Sequence, residues 1–133
     1  MKKSIITAVL ASLVLLLVSF NSNAQNAKSA ATSTIQVIQF HSDHRCVTCN
    51  LIEKLTIETL QKYPGLKLTL INVDLKRNEK MVERFEATGT ALFLYNPKTG
   101  EKKDLTDFAF MNAKSKPEEF KKGLEREINA FKK

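Results

Sequence analysis

Apolar and polar positions alternate along this chain in blocks, and the period shifts between two and nearly four. Ile35, Val37, Ile38 and Phe40 put apolar side chains on both faces of a strand over Thr34–Phe40. Such a strand belongs in the middle of a sheet covered by helices. From about Cys46 to Tyr63 the residues Leu51, Ile52, Leu55 and Tyr63 share one sector of a helical wheel, with Ile57 outside it. Pro64-Gly65 stops that helix. Leu66, Leu68 and Leu70 then alternate with Lys67 and Thr69, predicting a second strand that ends at Asp74. Asn78 is placed to cap a short helix through about Thr88, with Met81, Val82 and Phe85 inward and Gly89 as its stop. Ala91–Tyr95 is apolar throughout and predicts a third strand. The turn residues Asn96-Pro97-Lys98-Thr99-Gly100 predict a hairpin into a fourth, near Lys103–Phe108. Ser115 and Glu118 have capping-box spacing around Pro117, and Phe120, Leu124, Ile128 and Phe131 recur at helical spacing behind them. Phe108, Phe110 and Met111 read as core beneath that last helix. The order is β-α-β followed by α-β-β-α. A right-handed crossover makes the first two strands parallel.

Composition changes this picture first at the N-terminus. Lys2 and Lys3 precede an apolar run from Ile5 to Phe20, and the polar stretch Asn21-Ser22-Asn23-Ala24 follows. That order is a charged n-region, an h-region and a small-residue cleavage site, so residues 1–24 read as a secretory signal peptide cut after Ala24. Thr7, Ser12 and Ser19 interrupt a run already short for a span of roughly 20 residues. Contact with a membrane is therefore expected only through this segment, if it stays uncleaved. No cysteine lies there, which excludes a lipid anchor on one. Residues 25–33 are small and polar and read as a disordered lead. Residues 34–133 form the one domain. The full chain of 133 residues carries a net charge of +7, which falls to +5 without Lys2 and Lys3. The lysines are spread out rather than interleaved with aromatics, so they read as solvated surface and not as a nucleic-acid site. There is no Gly-rich phosphate loop, nucleophile elbow or pair of catalytic carboxylates. The acidic group Glu101, Asp104 and Asp107 reads as a solvated edge strand.

The chemistry concentrates between the first strand and the first helix. Phe40 to Cys49 contains both cysteines, Cys46 and Cys49, and both histidines, His41 and His44. A Cys-x-x-Cys pair at a strand-to-helix junction has the spacing of a redox pair. The unpaired N–H groups and positive dipole end of a helix start favour a thiolate. Cys46 falls there, with cationic Arg45 beside it. Cys49 lies one turn on, on the same face, within reach of a disulfide. A disulfide across three residues closes a very small loop and removes little unfolded-state entropy. That argues for a functional pair rather than a structural staple. In an exported protein such a pair can stay oxidised.

With this motif and element order, residues 34–131 resemble the thioredoxin-like superfamily. Phe40–Cys49 resembles its active-site strand end and loop, Asn72-Val73-Asp74 the end of a second strand, and Leu92–Tyr95 with Gly100-Glu101 its hairpin. Within the superfamily the chain looks most like small exported bacterial proteins, some of them labelled the nitrophenyl compound nitroreductase subunit ArsF family. The resemblance implies an α/β, three-layer fold with a central four-stranded mixed sheet flanked by helices. It also implies thiol–disulfide exchange without an organic cofactor. In that reading Cys46 attacks and Cys49 resolves, His44 and Arg45 raise the local positive potential, and Thr90 lies across the site to orient a substrate backbone. The chain departs from the family in three places. Val47-Thr48 replaces Gly-Pro between the cysteines. Thr90 stands where a cis-proline is usual, so a trans bond is expected there, a non-proline cis bond costing roughly 3 kcal/mol. Gln39 stands where an acid usually lies beneath the second cysteine.

The expected protein is a periplasmic or secreted monomer whose partner is a protein or small-molecule disulfide or dithiol. Two other readings stay open. His41, His44, Cys46 and Cys49 offer four N and S ligands suited to Zn²⁺ or Cu⁺. Alternatively the pair is inert, and the domain is a docking subunit of a redox system.

Overall fold

The structure is a computed structural model describing residues 35–133. The expected signal peptide (1–24), polar lead (25–33) and Thr34 lie outside the described residues. Four strands, β1 (Gln36–His41), β2 (Leu68–Asn72), β3 (Ala91–Tyr95) and β4 (Lys102–Asp104), form one sheet in the order β2-β1-β3-β4. β1 runs parallel to β2 and antiparallel to β3, and β4 closes a hairpin against β3. Helices α1 (Val47–Leu60), α2 (Glu79–Phe85), α3 (Thr106–Ala113) and α4 (Pro117–Phe131) flank it. This is the three-layer α/β arrangement expected, with a central mixed sheet of thioredoxin-like form.

The doubly apolar pattern of β1 follows from its place inside the sheet, since both its faces are covered. Val37 meets the face carrying α1, α3 and α4, where it packs with Leu92, Leu94, Ile52, Phe120 and Leu124. Ile38 and Phe40 meet the other face, with Phe93, Tyr95 and, from α2, Phe85. The ring centroids of Phe85 lie 5.1 Å from Phe93, 5.2 Å from Tyr95 and 5.3 Å from Phe40. Each such tilted or edge-to-face pair adds about 0.5–1.5 kcal/mol to its area burial. α2 is only seven residues long; besides this ring cluster, Met81 and Val82 pack against the same face, and Arg84 Nη1 donates to the Tyr95 hydroxyl at 3.2 Å.

Several expected boundaries move. The fourth strand stops at Asp104, and the segment expected to continue it through Phe108 is helix α3. Asp104 Oδ1 accepts the Thr106 N–H at 2.8 Å and turns the chain out of the sheet. Thr106 Oγ1 then accepts the Leu92 N–H at 3.1 Å. α3 buries two alanines, Ala109 and Ala113, four residues apart, and leaves Phe110 40% and Met111 74% exposed. The expectation that those two belong to the core is corrected. Phe108 does pack inward, its ring stacked on Phe120 at 5.6 Å.

The expected capping box does not form. Lys116 occupies the α4 cap position, and Ser115 Oγ donates to Met111 O at 3.1 Å. Pro117 takes the first helical position as expected. Asn78 makes no cap bond either, since its Nδ2 donates to Asn72 O at 2.8 Å. α2 ends at Glu86 in the left-handed region (φ 53), three residues before the Gly89 expected to stop it.

Phe108 also explains a glycine inside α4. A Cβ on buried Gly123 would overlap Cε2 and Cζ of the Phe108 ring. Gly123→Ala should therefore destabilise the fold by about 1 kcal/mol: overpacking costs roughly 1–3 kcal/mol, and the helix gains about 1 kcal/mol from alanine. Urea denaturation measures the difference. A smaller ring-free side chain in Gly123→Ala/Phe108→Leu should recover the lost midpoint relative to Phe108→Leu alone.

Candidate functional site

β1 delivers the chain to His41 at the end of the sheet, and residues 42–45 carry it over to α1. Polar bonds at the end of β2 pin this short loop. Asn72 Nδ2 donates to Asp43 Oδ1 at 2.7 Å, the Asp43 N–H donates to Asp74 Oδ2 at 2.7 Å, and the Asp74 N–H returns to Asn72 Oδ1 at 2.9 Å. The Val73 N–H reaches His41 O at 2.8 Å. Within the loop Ser42 Oγ donates to His44 O at 2.9 Å. His41 Nδ1 lies 3.0 Å from Ser42 O, a bond that requires the proton on Nδ1.

Cys46 is the N-cap of α1. Its backbone is extended (φ −77, ψ 160), its carbonyl accepts the Asn50 N–H at 3.1 Å, and its Sγ accepts the Cys49 N–H at 3.1 Å. The sulfur fills the place in which a serine or aspartate oxygen would satisfy a free helix donor. Cys46 and Cys49 form a disulfide, with Cα atoms 5.1 Å apart. The two sulfurs have unlike surroundings. Cys46 is exposed, beside a Val47 that is 72% exposed, whereas Cys49 is only 4% exposed.

Two side chains meet Cys49 from below and across. Gln39 is fully buried and donates from Nε2 to Cys49 O at 3.1 Å; its Oε1 has no partner among the described residues. An amide therefore lies against the backbone of the second cysteine. Thr90 Oγ1 donates to Cys49 Sγ at 3.2 Å. No peptide bond among the described residues is cis, so the bond before Thr90 is trans.

Arg45, which precedes Cys46, is ion-paired. Its Nη2 pairs with Glu53 Oε2, two turns into α1, and both side chains are about a quarter exposed. The carboxylate thus stands beside the cation that was expected to raise the potential at Cys46. His44 is exposed on the loop. Among the described residues no three His, Cys, Asp or Glu side chains converge closely enough to hold a metal ion. The set His41, His44, Cys46 and Cys49 is thus not assembled: the sulfurs are bonded to each other, and His41 turns to its neighbour's carbonyl. Glu101, Asp104 and Asp107 are exposed as expected, but only Asp104 lies in the edge strand: Glu101 precedes β4 and Asp107 is in the first turn of α3.

Glu53 and the Asp43–Asn72–Asp74 group escaped the sequence reading. Glu53 lies eight positions from Arg45, and no local spacing signalled the pair. Asn72 and Asp74 were visible only as the end of a strand.

No family model matches the chain, and no curated protein matches it. A solved structure titled "Structure of a malarial protein" is similar with a TM-score of 0.42 and 20% identity, over 59% of this chain and 93% of that one. A likeness so distant carries no argument about function. What stands is a thioredoxin-like α/β fold with a Cys-x-x-Cys disulfide at the junction of β1 and α1.

Proposed function

We propose that this chain is an exported thiol–disulfide oxidoreductase that works as a monomer. The observation that carries the reading is the unequal placement of two bonded sulfurs: Cys46 exposed at a helix cap, Cys49 buried behind it. A partner can reach the first and not the second. Among the described residues no helix is long and apolar enough to cross a membrane. Periplasmic or secreted placement rests on the leader-like residues 1–24.

The chemistry is a two-electron exchange. A thiolate of a partner dithiol attacks Cys46 Sγ, the Cys46–Cys49 bond breaks, and Cys49 leaves as a thiolate. The partner's second thiolate then attacks its own sulfur in the mixed disulfide. That releases an oxidised partner and leaves both cysteines reduced. In reverse, the Cys46 thiolate attacks a partner disulfide and Cys49 resolves the adduct. The relative potentials of pair and partner set the direction. On reduction, the Cys49 N–H that now meets Cys46 Sγ becomes a donor to the Cys46 thiolate, together with the positive end of α1.

Cys49→Ser should accumulate mixed disulfides on Cys46 when the reduced protein meets a disulfide substrate, and Cys46→Ser should form none. Mass spectrometry after acid quenching reads both, and absence of any adduct in Cys49→Ser would sink the exchange reading. Glu53→Gln should lower the pH at which reduced Cys46 becomes reactive, because it removes a carboxylate and leaves Arg45 uncompensated. The pH profile of iodoacetamide alkylation measures this, and an unmoved midpoint would show that the Arg45–Glu53 pair has no influence on the sulfur.

A further inference from the structure

The geometry points to Thr90 as a catalytic residue: its hydroxyl carries the negative charge that develops on Cys49 Sγ whenever the disulfide opens. This assignment rests on the exchange reading above and gives one of its steps a named group. Among the described residues each sulfur of the pair has one donor. Cys46 Sγ takes the Cys49 N–H at 3.1 Å, and Cys49 Sγ takes the Thr90 hydroxyl at 3.2 Å. Cys49 is 4% exposed, so little water is available to stabilise an anion there. Its other polar neighbour, Gln39, spends its amide N–H on the Cys49 carbonyl. What Gln39 has left is an acceptor, Oε1, which cannot stabilise an anion. The Thr90 O–H is therefore the donor aimed at the atom on which charge appears.

The step balances without a further reagent. A partner thiolate attacks Cys46 Sγ and forms the new S–S bond. The electron pair of the old bond goes to Cys49 Sγ, which becomes the thiolate. Thr90 keeps its proton and donates a hydrogen bond that shortens and strengthens as its acceptor gains charge. A leaving thiol of lower pKa departs faster, so holding this anion speeds the opening. In the return direction the same bond keeps Cys49 ionised for attack on the mixed disulfide. Thr90 stands where the resemblance places a proline, a residue that has no hydroxyl to offer.

The test follows the reaction of the oxidised full chain with reduced glutathione, quenched with acid and read by mass spectrometry as adduct on Cys46. Thr90→Val keeps the shape and loses the donor. It should slow adduct formation roughly ten- to hundredfold, the range for a lost hydrogen bond to a charged group. Thr90→Ala should show the same loss, and Thr90→Ser should return to within about threefold of the parent rate. In a Cys46→Ala background, Thr90→Val should also raise the pH at which the Cys49 thiolate absorbance appears, a readout that looser packing alone would not move in step with the rate. Thr90→Val or Thr90→Ala reacting at the parent rate overturns the assignment. A different result marks failure of the exchange reading itself: the parent disulfide reacting no faster than that of the linear peptide Cys-Val-Thr-Cys.

Discussion

The interaction on which the site depends is a hydrogen bond from a backbone amide to a sulfur. A helix begins with N–H groups that its own backbone cannot satisfy, and α1 satisfies one of them with Cys46 Sγ. The exposed cysteine is therefore also a structural residue. The sulfur closes the first turn, and that turn aims α1 back over the sheet, where Ile52 and Leu55 enter the core. The loop before it is short, and Asp43, Asn72 and Asp74 tie it to the neighbouring strand end. The cap, the crossover and the disulfide are thus fixed by one junction. Moving any of them would displace the others.

Around that junction the charges are balanced rather than accumulated. Arg45 precedes the exposed cysteine, yet Glu53 takes its guanidinium. Beneath the buried cysteine there is a neutral amide, and across from it a neutral hydroxyl. The pair is therefore met at close range by hydrogen-bond donors and by a helix terminus, while the nearest cation is ion-paired. A neutral donor needs no compensating ion when the sulfur changes its charge state. It also keeps its effect at salt concentrations that would screen an exposed cation.

Much of this was legible in the sequence, and for physical reasons. β1 announces its central position through Val37, Ile38 and Phe40, because only a strand covered on both sides tolerates apolar residues in succession. α4 announces its buried face through Phe120, Leu124 and Ile128, all fully buried. The Cys-x-x-Cys spacing with its strand-to-helix setting located the disulfide. α3 was hidden because its buried positions are alanines, while Phe110 and Met111 sit on its outer side and imitate a core signal. The Arg45–Glu53 pair was hidden because a loop residue and a helix residue eight positions apart share no local pattern. The end of α2 was misread because Glu86 adopts a conformation that the nearby Gly89 would have taken more readily.

The sheet ends, on the side of the hairpin, in a strand that resists pairing. β4 is three residues long, and Lys102, Lys103 and Asp104 all stand in solvent. A strand so short and so heavily charged offers a stranger's backbone few free amides and no apolar footing. The rim beyond β4 is consequently a poor template for the backbone of another chain. The opposite margin of the sheet is formed by β2, so the two borders differ in length and in charge.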